Sequence, residues 1–189
     1  MNKRLFLLVI FACLLLSFAQ SWPLISGGVN IYYGETGFLF GGGLGIEFAF
    51  ESCFTGSKTE TTMFGIGLEY IGGASLYTQT WASGMVLALT SKEGFILPPG
   101  NIMLNIGLGM AMLVLDTEYI DSWGDPDFTT SIGGALFVEA GVYYEFARGL
   151  SVMVCLRGGA SLLSDSVSPF AGLTAHIGFM IPTPEEDEY

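Results

Sequence analysis

The chain has 189 residues, of which 51% are hydrophobic and only 13% are charged, and its formal net charge is −12. Six basic residues against 18 acidic ones argue against nucleic acid as a partner, because phosphate binding needs a basic surface. Three cysteines are too few for a disulfide-dense scaffold.

The first residues have the features of an export signal. The basic residues Lys3 and Arg4 are followed by an almost entirely apolar run over 5–16, and Ser17-Phe18-Ala19 supplies small residues at a spacing that a signal peptidase reads. This order predicts a cleaved signal peptide over residues 1–21 and an exported chain.

Two alternatives for this segment stay open. The first is an uncleaved membrane anchor, although the apolar run is short for a span and no basic stop follows it. The second is a lipoprotein modified at Cys13, but Phe11 stands where a small residue is usual and the apolar run continues past the cysteine.

Beyond residue 21 the chain is apolar without containing a helical span. No run reaches the ~18–20 apolar residues of a transmembrane helix, and the longest candidate, Ile102 to Leu115, is interrupted by Asn105, Gly107 and Gly109. A closed barrel is the other structure that satisfies its backbone hydrogen bonds in lipid. The composition therefore favours a β-barrel over residues 22–181, followed by an acidic tail over 182–189.

Apolar residues recur at every second position, as in strands that present two different faces. One face is large and apolar, and the other is small or polar. The pattern predicts an antiparallel up-and-down barrel of about eight strands, near 25–34, 38–50, 64–70, 75–90, 101–115, 131–146, 150–161 and 170–181. Most of them reach the ~9–11 residues that a tilted strand needs to cross a bilayer.

Charged residues within these strands share one face. All of them fall in the small, polar set, which also contains the one histidine; the six residues are Glu47, Glu69, Glu139, Glu145, Arg157 and His176. A basic residue facing lipid at the midplane costs ~2–4 kcal/mol. The large apolar set is therefore predicted to face lipid, and the polar set to form a network in the barrel lumen.

One pairing follows from a tight turn at Ala147-Arg148-Gly149. If this turn is the centre of a hairpin, Glu139 lies opposite Arg157, and a similarly compact connection at 164–168 brings His176 near Arg157. An ion pair between Glu139 and Arg157 is predicted to stabilise the interior, because buried charges need partners.

Turns are expected at 51–60 and 91–100, which place Lys58 and Lys92 outside the strands. A loop over 116–128 is acidic and aromatic, and its carboxylates form a candidate cation-binding or surface-contact loop. These carboxylates are Asp116, Glu118, Asp121, Asp125 and Asp127.

The segment Gly141-Val142-Tyr143-Tyr144-Glu145-Phe146 before a tight turn, together with the signal peptide and about eight alternating strands, resembles the small outer-membrane barrels of the OmpX, OmpA and OmpW type. The resemblance implies a protein of the bacterial outer membrane with a structural or surface-interaction role. Its alternative is a narrow pore, or an OmpW-like transporter of small or apolar solutes. The acidic tail departs from the family pattern, in which the last strand ends on an aromatic residue.

The remaining expectations concern chemistry and partners. His176 alternates with Thr174 and Gly178 and has no serine beside it in sequence, so the chain is predicted not to be an enzyme. No cofactor and no metal are predicted. The expected partners are outer-membrane lipid and an extracellular partner that contacts the loop 116–128.

Overall fold

The computed structural model describes residues 22–34, 37–51, 59–74, 81–98, 100–120, 123–163 and 166–181. They form eight strands: β1 (Trp22–Gly34), β2 (Gly37–Glu51), β3 (Glu60–Ala74), β4 (Trp81–Leu97), β5 (Ile102–Ile120), β6 (Pro126–Ala147), β7 (Leu150–Leu163) and β8 (Ser166–Met180). The signal peptide and the acidic tail lie outside the described residues and stay predictions.

Each strand pairs antiparallel with its neighbours in sequence, and β8 pairs with β1, so the sheet closes into a barrel. The register is staggered around the barrel. Starting at Glu93 in β4, the chain of paired residues passes once around the sheet and returns to β4 at Ser83, ten residues away. A stagger of this kind tilts the strands, and eight strands leave an interior just wide enough for side chains to fill. The predicted fold class is confirmed.

The two faces of the barrel have the polarity that lipid requires. Leu44, a residue of the large apolar set, is 71% exposed on the outside, whereas Glu139 in the interior is 1% exposed. A protein in water would bury the leucine and expose the carboxylate. Because the arrangement is reversed, the outer band of the barrel faces a lipid bilayer. Within the described parts of the chain, no helix is long and apolar enough to cross a membrane.

Both ends of the described chain lie at one end of the barrel, with the turns that join β4 to β5 and β6 to β7; we call this end the base and the opposite end the top. β5 and β6 are the longest strands, with 19 and 22 residues. Their hairpin extends beyond the top, since β6 pairs with β7 only from Gly133 onward. The predicted loop 116–128 is therefore largely a strand extension, because the β5–β6 register continues to Ile120 and Pro126.

Two clusters of buried apolar side chains fill the lumen. Towards the top lie Leu39, Ile71, Ala82, Val86 and Leu115, and towards the base lie Leu24, Tyr143, Met153 and Cys155. We call these the top plug and the base plug. Between them the interior is charged.

Candidate functional site: the charged interior

Arg157 on β7 forms the first half of the charged interior. Its Nε lies 2.5 Å from Glu139 Oε2, and its Nη1 lies 2.6 Å from Glu69 Oε1. The same Nη1 donates to the hydroxyl of Tyr32, which in turn donates to the second oxygen of Glu69. Register explains the first contact, since Glu139 and Arg157 are directly paired across β6 and β7. The pairing predicted from the tight turn is confirmed.

Lys92 on β4 forms the second half. Its Nζ lies 2.5 Å from Glu47 Oε1 and 2.6 Å from Glu139 Oε1. It also donates to the Tyr143 hydroxyl at 3.0 Å, and that hydroxyl donates to Glu47 Oε2 at 2.6 Å. Glu139 thus touches both cations and joins the two halves into one network.

The expectation that Lys92 lies in a turn is wrong. β4 runs to Leu97, so Lys92 sits inside the strand and is 4% exposed. The alternation along β4 is enough to predict this position. Val86 and Ala88 face inward, and Lys92, four residues after Ala88, has the same phase and therefore faces the lumen. Its neighbour Glu93 has the outward phase and accepts a hydrogen bond from Thr62 Oγ1 at 2.8 Å, close to the base.

Two residues of the predicted lumenal set lie apart from the ion pairs. Glu145 has the inward phase, but it is exposed at the base, where its Oε1 accepts a hydrogen bond from the Gly149 amide. A register irregularity between Glu145 and Ala147 marks the end of the regular ladder. The remaining residue, the histidine of β8, belongs to a different group of side chains.

In the β7–β8 ladder His176 is paired with Met153, and Arg157 is paired with Gly172, four residues before His176. His176 therefore does not face Arg157 directly, but both side chains line the same cavity. The imidazole Nε2 lies 2.8 Å from Asn30 Oδ1, and Nδ1 lies 3.4 Å from Ser26 Oγ. Sequence neighbours could not reveal this serine, because β1 reaches β8 only when the barrel closes.

A small cavity of about 40 Å³ lies among these groups, with Glu47, Glu69, Lys92, Arg157 and His176 in its wall. A buried water molecule needs roughly 10–15 Å³ of cavity volume and two to four polar partners. The cavity is therefore polar and large enough for two or three waters. Three carboxylates and two cations give the network a formal charge of −1 when His176 is neutral, which a hydrated site tolerates better than a dry one.

Inward-facing glycines make room for the acidic side chains. A Cβ on Gly43 would lie 2.9 Å from Glu69 Cγ and 3.0 Å from Asn30 Nδ2. A Cβ on Gly65 would lie 3.1 Å from Glu47 Cγ. The small residues that alternate along β2 and β3 thus leave the space that Glu69 and Glu47 occupy.

We expect Gly43→Val to lower the free energy of unfolding by about 1–3 kcal/mol, because the added methyl groups overpack the position and displace Glu69 from Arg157. Urea unfolding of the barrel in lipid vesicles measures the change. Gly158→Val is the matched control, since nothing lies within 4 Å of its Cβ position, and its effect should stay within about 0.5 kcal/mol. Equal losses in both variants would contradict the packing argument.

The carboxylates of the predicted acidic loop are spread over the β5–β6 hairpin. Asp116 accepts a hydrogen bond from Thr130 Oγ1 at 2.6 Å, and Asp127 accepts one from the Tyr119 hydroxyl at 2.6 Å. Glu118 is on β5 and Asp125 lies just before β6, whereas Asp121 is outside the described residues. Among the residues that the structure describes, no group of three or more histidine, cysteine or acidic side chains is arranged to hold a metal ion.

No family model matches this chain, and no curated protein matches it in sequence. Solved structures do share its fold. Neisserial surface protein A superposes with a TM-score of 0.57 at 14% identity, over 86% of this chain and 97% of that one. Ail, the attachment invasion locus protein of Yersinia pestis, solved with the heparin analogue sucrose octasulfate, has a TM-score of 0.57 at 13% identity, over 86% and 99% of the two chains.

The outer-membrane enzyme PagL is also similar, with a TM-score of 0.51 at 14% identity, over 84% of this chain and 99% of that one. The expectation that the chain is not an enzyme therefore does not stand, because an enzyme shares this architecture. A hydroxyl, that of Ser26 on β1, also lies beside the imidazole of His176, although no serine is its neighbour in sequence. At these identities the likeness establishes the fold and leaves the activity open.

The predicted resemblance to small eight-stranded outer-membrane barrels is confirmed by these structures. The apolar outer band requires a bilayer, and two of the similar solved barrels, PagL and OprG of Pseudomonas aeruginosa, are named as outer-membrane proteins. The predicted localisation in the bacterial outer membrane agrees with this outer band and with the names of these two structures.

Proposed function

We propose that this barrel is a surface-interaction protein of the outer membrane, and that the upper part of the β5–β6 hairpin is its contact element. The observation that supports this role is the exposure of aromatic side chains beyond the rest of the barrel. Trp123 is 88% exposed and Phe128 is 64% exposed. These side chains lie on the part of the hairpin that extends beyond the β6–β7 pairing, and aromatic residues are enriched where proteins bind one another.

Charge indicates the kind of partner. Asp116, Glu118, Asp125 and Asp127 lie on the same hairpin as these aromatic side chains, and no lysine or arginine occurs between Lys92 and Arg148. The Tyr119 hydroxyl and the Phe128 amide hold the pKa of Asp127 below its usual value, so this carboxylate is ionised at neutral pH. An acidic top attracts basic surfaces and repels anionic ones. The partner proposed here therefore differs in charge from the heparin analogue seen with Ail.

The proposal is tested with the barrel in nanodiscs and a fluorescent peptide of alternating lysine and threonine. Binding is expected to weaken as salt is added, since exposed charges are screened. Trp123→Ala/Phe128→Ala should reduce the affinity by roughly tenfold, the loss of a binding hot spot. Tyr70→Ala, which removes an exposed aromatic residue from the lipid-facing part of β3, is the control. Failure to bind, or equal affinity in the wild type and the double variant, would overturn the proposal.

The alternative of a narrow pore predicts a different result in planar bilayers. Ions would have to pass the top plug, the paired charges and the base plug in turn. Silence in the recordings is expected if the lumen stays filled. A steady current from the purified barrel would favour the pore and count against a purely surface-contact role.

A further inference from the structure

The two plugs that close the lumen differ in their chemistry. Each of the five buried residues of the top plug is aliphatic. The base plug combines the aliphatic Leu24 with the hydroxyl of Tyr143 and the sulfur atoms of Met153 and Cys155. Water can form hydrogen bonds with hydroxyl and thiol groups, whereas an aliphatic plug offers it no side-chain partner.

Buried polar atoms without a protein partner accompany the base plug. Both the oxygen and the nitrogen of the Asn105 side-chain amide are of this kind, as are Asn101 Oδ1 and Ser151 Oγ. Asn101 lies in the β4–β5 turn and Ser151 at the start of β7, so both are at the base, and Asn105 follows on β5. Among the described residues, no such atom belongs to the top plug. Because ordered water satisfies buried polar groups of this kind, the base end of the lumen is hydrated.

The cavity of the charged interior borders the base plug and not the top plug. Tyr143, Met153 and Cys155 form part of its wall, whereas none of the five top-plug residues does. His176 lines the same cavity and is paired with Met153 across β7 and β8. The imidazole therefore lies beside the hydrated end of the lumen, with the aliphatic plug on the far side of the ion pairs.

Charge gives the interior a reason to hold one more proton. Its formal charge is −1 when His176 is neutral, and a buried net charge is costly. The imidazole Nε2 lies 2.8 Å from Asn30 Oδ1, an acceptor, so Nε2 carries the hydrogen and Nδ1 keeps its lone pair. A proton on Nδ1 makes the interior neutral, and the Ser26 hydroxyl at 3.4 Å can accept a hydrogen bond from it.

The groups around the imidazole act on this added charge in both directions. The carboxylates favour it, and the two cations oppose it. The ionisable side chains of the surrounding strands are Tyr32, Glu47, Glu69, Lys92, Glu139, Tyr143, Cys155 and Arg157. Because the carboxylates outnumber the cations, one proton balances the set.

We propose that the charged interior binds a proton that enters from the base alone, through a water-filled half-channel that ends below the top plug. Water held at Asn101, Ser151 and Asn105 delivers the proton, and His176 Nδ1 receives it. The proton leaves by the same route, so nothing crosses the barrel and no steady current accompanies the exchange. Ionisable side chains at this depth in a membrane protein are typical of proton relays. The role does not depend on the proposed surface contact, which lies at the opposite end.

The side from which water enters can be tested by NMR on the wild-type barrel in nanodiscs. Magnetisation transfer from water is expected at the methyl groups of Met103 and Met153, which lie at the base plug. The methyl groups of Val86 and Leu115 in the top plug should receive none. Since no variant is used, the result does not depend on the folding of an altered chain. Transfer that reaches the top plug, or transfer to neither plug, would overturn the half-channel.

The proton itself can be followed because His176 is the one histidine of the sequence. With ¹⁵N-labelled histidine, the ring signals should show protonation at Nδ1 between about pH 8 and pH 4. Exchange of the Nε2 hydrogen with water should slow by roughly tenfold in Asn105→Leu, which keeps the size of the side chain and removes its polar atoms. An imidazole that keeps one protonation state over this range would contradict the proposal.

Ala111→Val is the matched control for the route. Ala111 has the same inward phase on the same strand as Asn105, but it packs against the top plug. The added methyl groups tighten that plug and should leave exchange at the imidazole unchanged. Slowing in Ala111→Val that equals the slowing in Asn105→Leu would show that water also enters from the top, and would overturn access from the base alone.

Discussion

Arg157→Ala is expected to lower the free energy of unfolding by about 3–5 kcal/mol, the usual cost of removing one partner from a buried ion pair. The change leaves Glu47, Glu69 and Glu139 with Lys92 as the cation of the described network. Glu69 is 2% exposed, so the loss of the guanidinium leaves a buried carboxylate without its cation. The change also removes the cation that lies 5.1 Å from the Phe137 ring centre.

Urea unfolding in lipid vesicles, with heat-modifiability gels as a second measure of the folded barrel, would give the size of this loss. Arg148→Ala is the control, since Arg148 is exposed in the β6–β7 turn, and it should change the free energy of unfolding by no more than about 0.5 kcal/mol. Glu69→Ala added to Arg157→Ala should recover part of the loss, because removing both partners leaves fewer unpaired charges. A double variant less stable than Arg157→Ala alone would contradict the pairing.

Much of the fold follows from a pattern that is local. A strand exposes alternate residues to opposite sides, so the phase of Leu44 or Glu139 can be read from its neighbours. The lipid outside and the narrow lumen inside then determine which phase each residue type takes. The Glu139–Arg157 pair could be predicted for a similar reason, since a tight turn sets the register of its hairpin.

The positions and contacts that could not be predicted from the sequence depend on where the strands end and on how β8 closes the barrel against β1. The sequence predicts a turn at Lys92 because a lysine followed by Glu93 and Gly94 is typical of a turn, whereas β4 continues to Leu97. Glu145 has the inward phase that the alternation predicts, but it lies near the base end of β6, where its side chain is exposed. The contacts of His176 with Ser26 and Asn30 cross the β1–β8 seam, where residues 150 and 146 positions apart meet. No hairpin turn links these strands, so no local rule gives their register.

Lys92→Met is the change that tests the network as a whole, and it is expected to cost about 3–5 kcal/mol although methionine fills nearly the same space. Without the ammonium, the guanidinium of Arg157 still pairs with Glu69 and Glu139, whereas Glu47 loses its cation and keeps the hydrogen bond from the Tyr143 hydroxyl. Glu139→Gln should cost much less, because each cation then keeps one carboxylate: Lys92 keeps Glu47, and Arg157 keeps Glu69.

These two changes should also compensate one another. Glu139→Gln added to Lys92→Met restores the formal charge of −1 in the network, so the double variant should be more stable than Lys92→Met alone. Glu145→Gln is the matched control, because it removes the same charge from the same strand at an exposed position. Urea unfolding of the wild type, Lys92→Met and the two double variants that add Glu139→Gln or Glu145→Gln to Lys92→Met decides the matter. If Glu145→Gln rescued Lys92→Met as well as Glu139→Gln does, the effect would come from net charge, and Glu139 would not be the residue that couples the two halves of the interior.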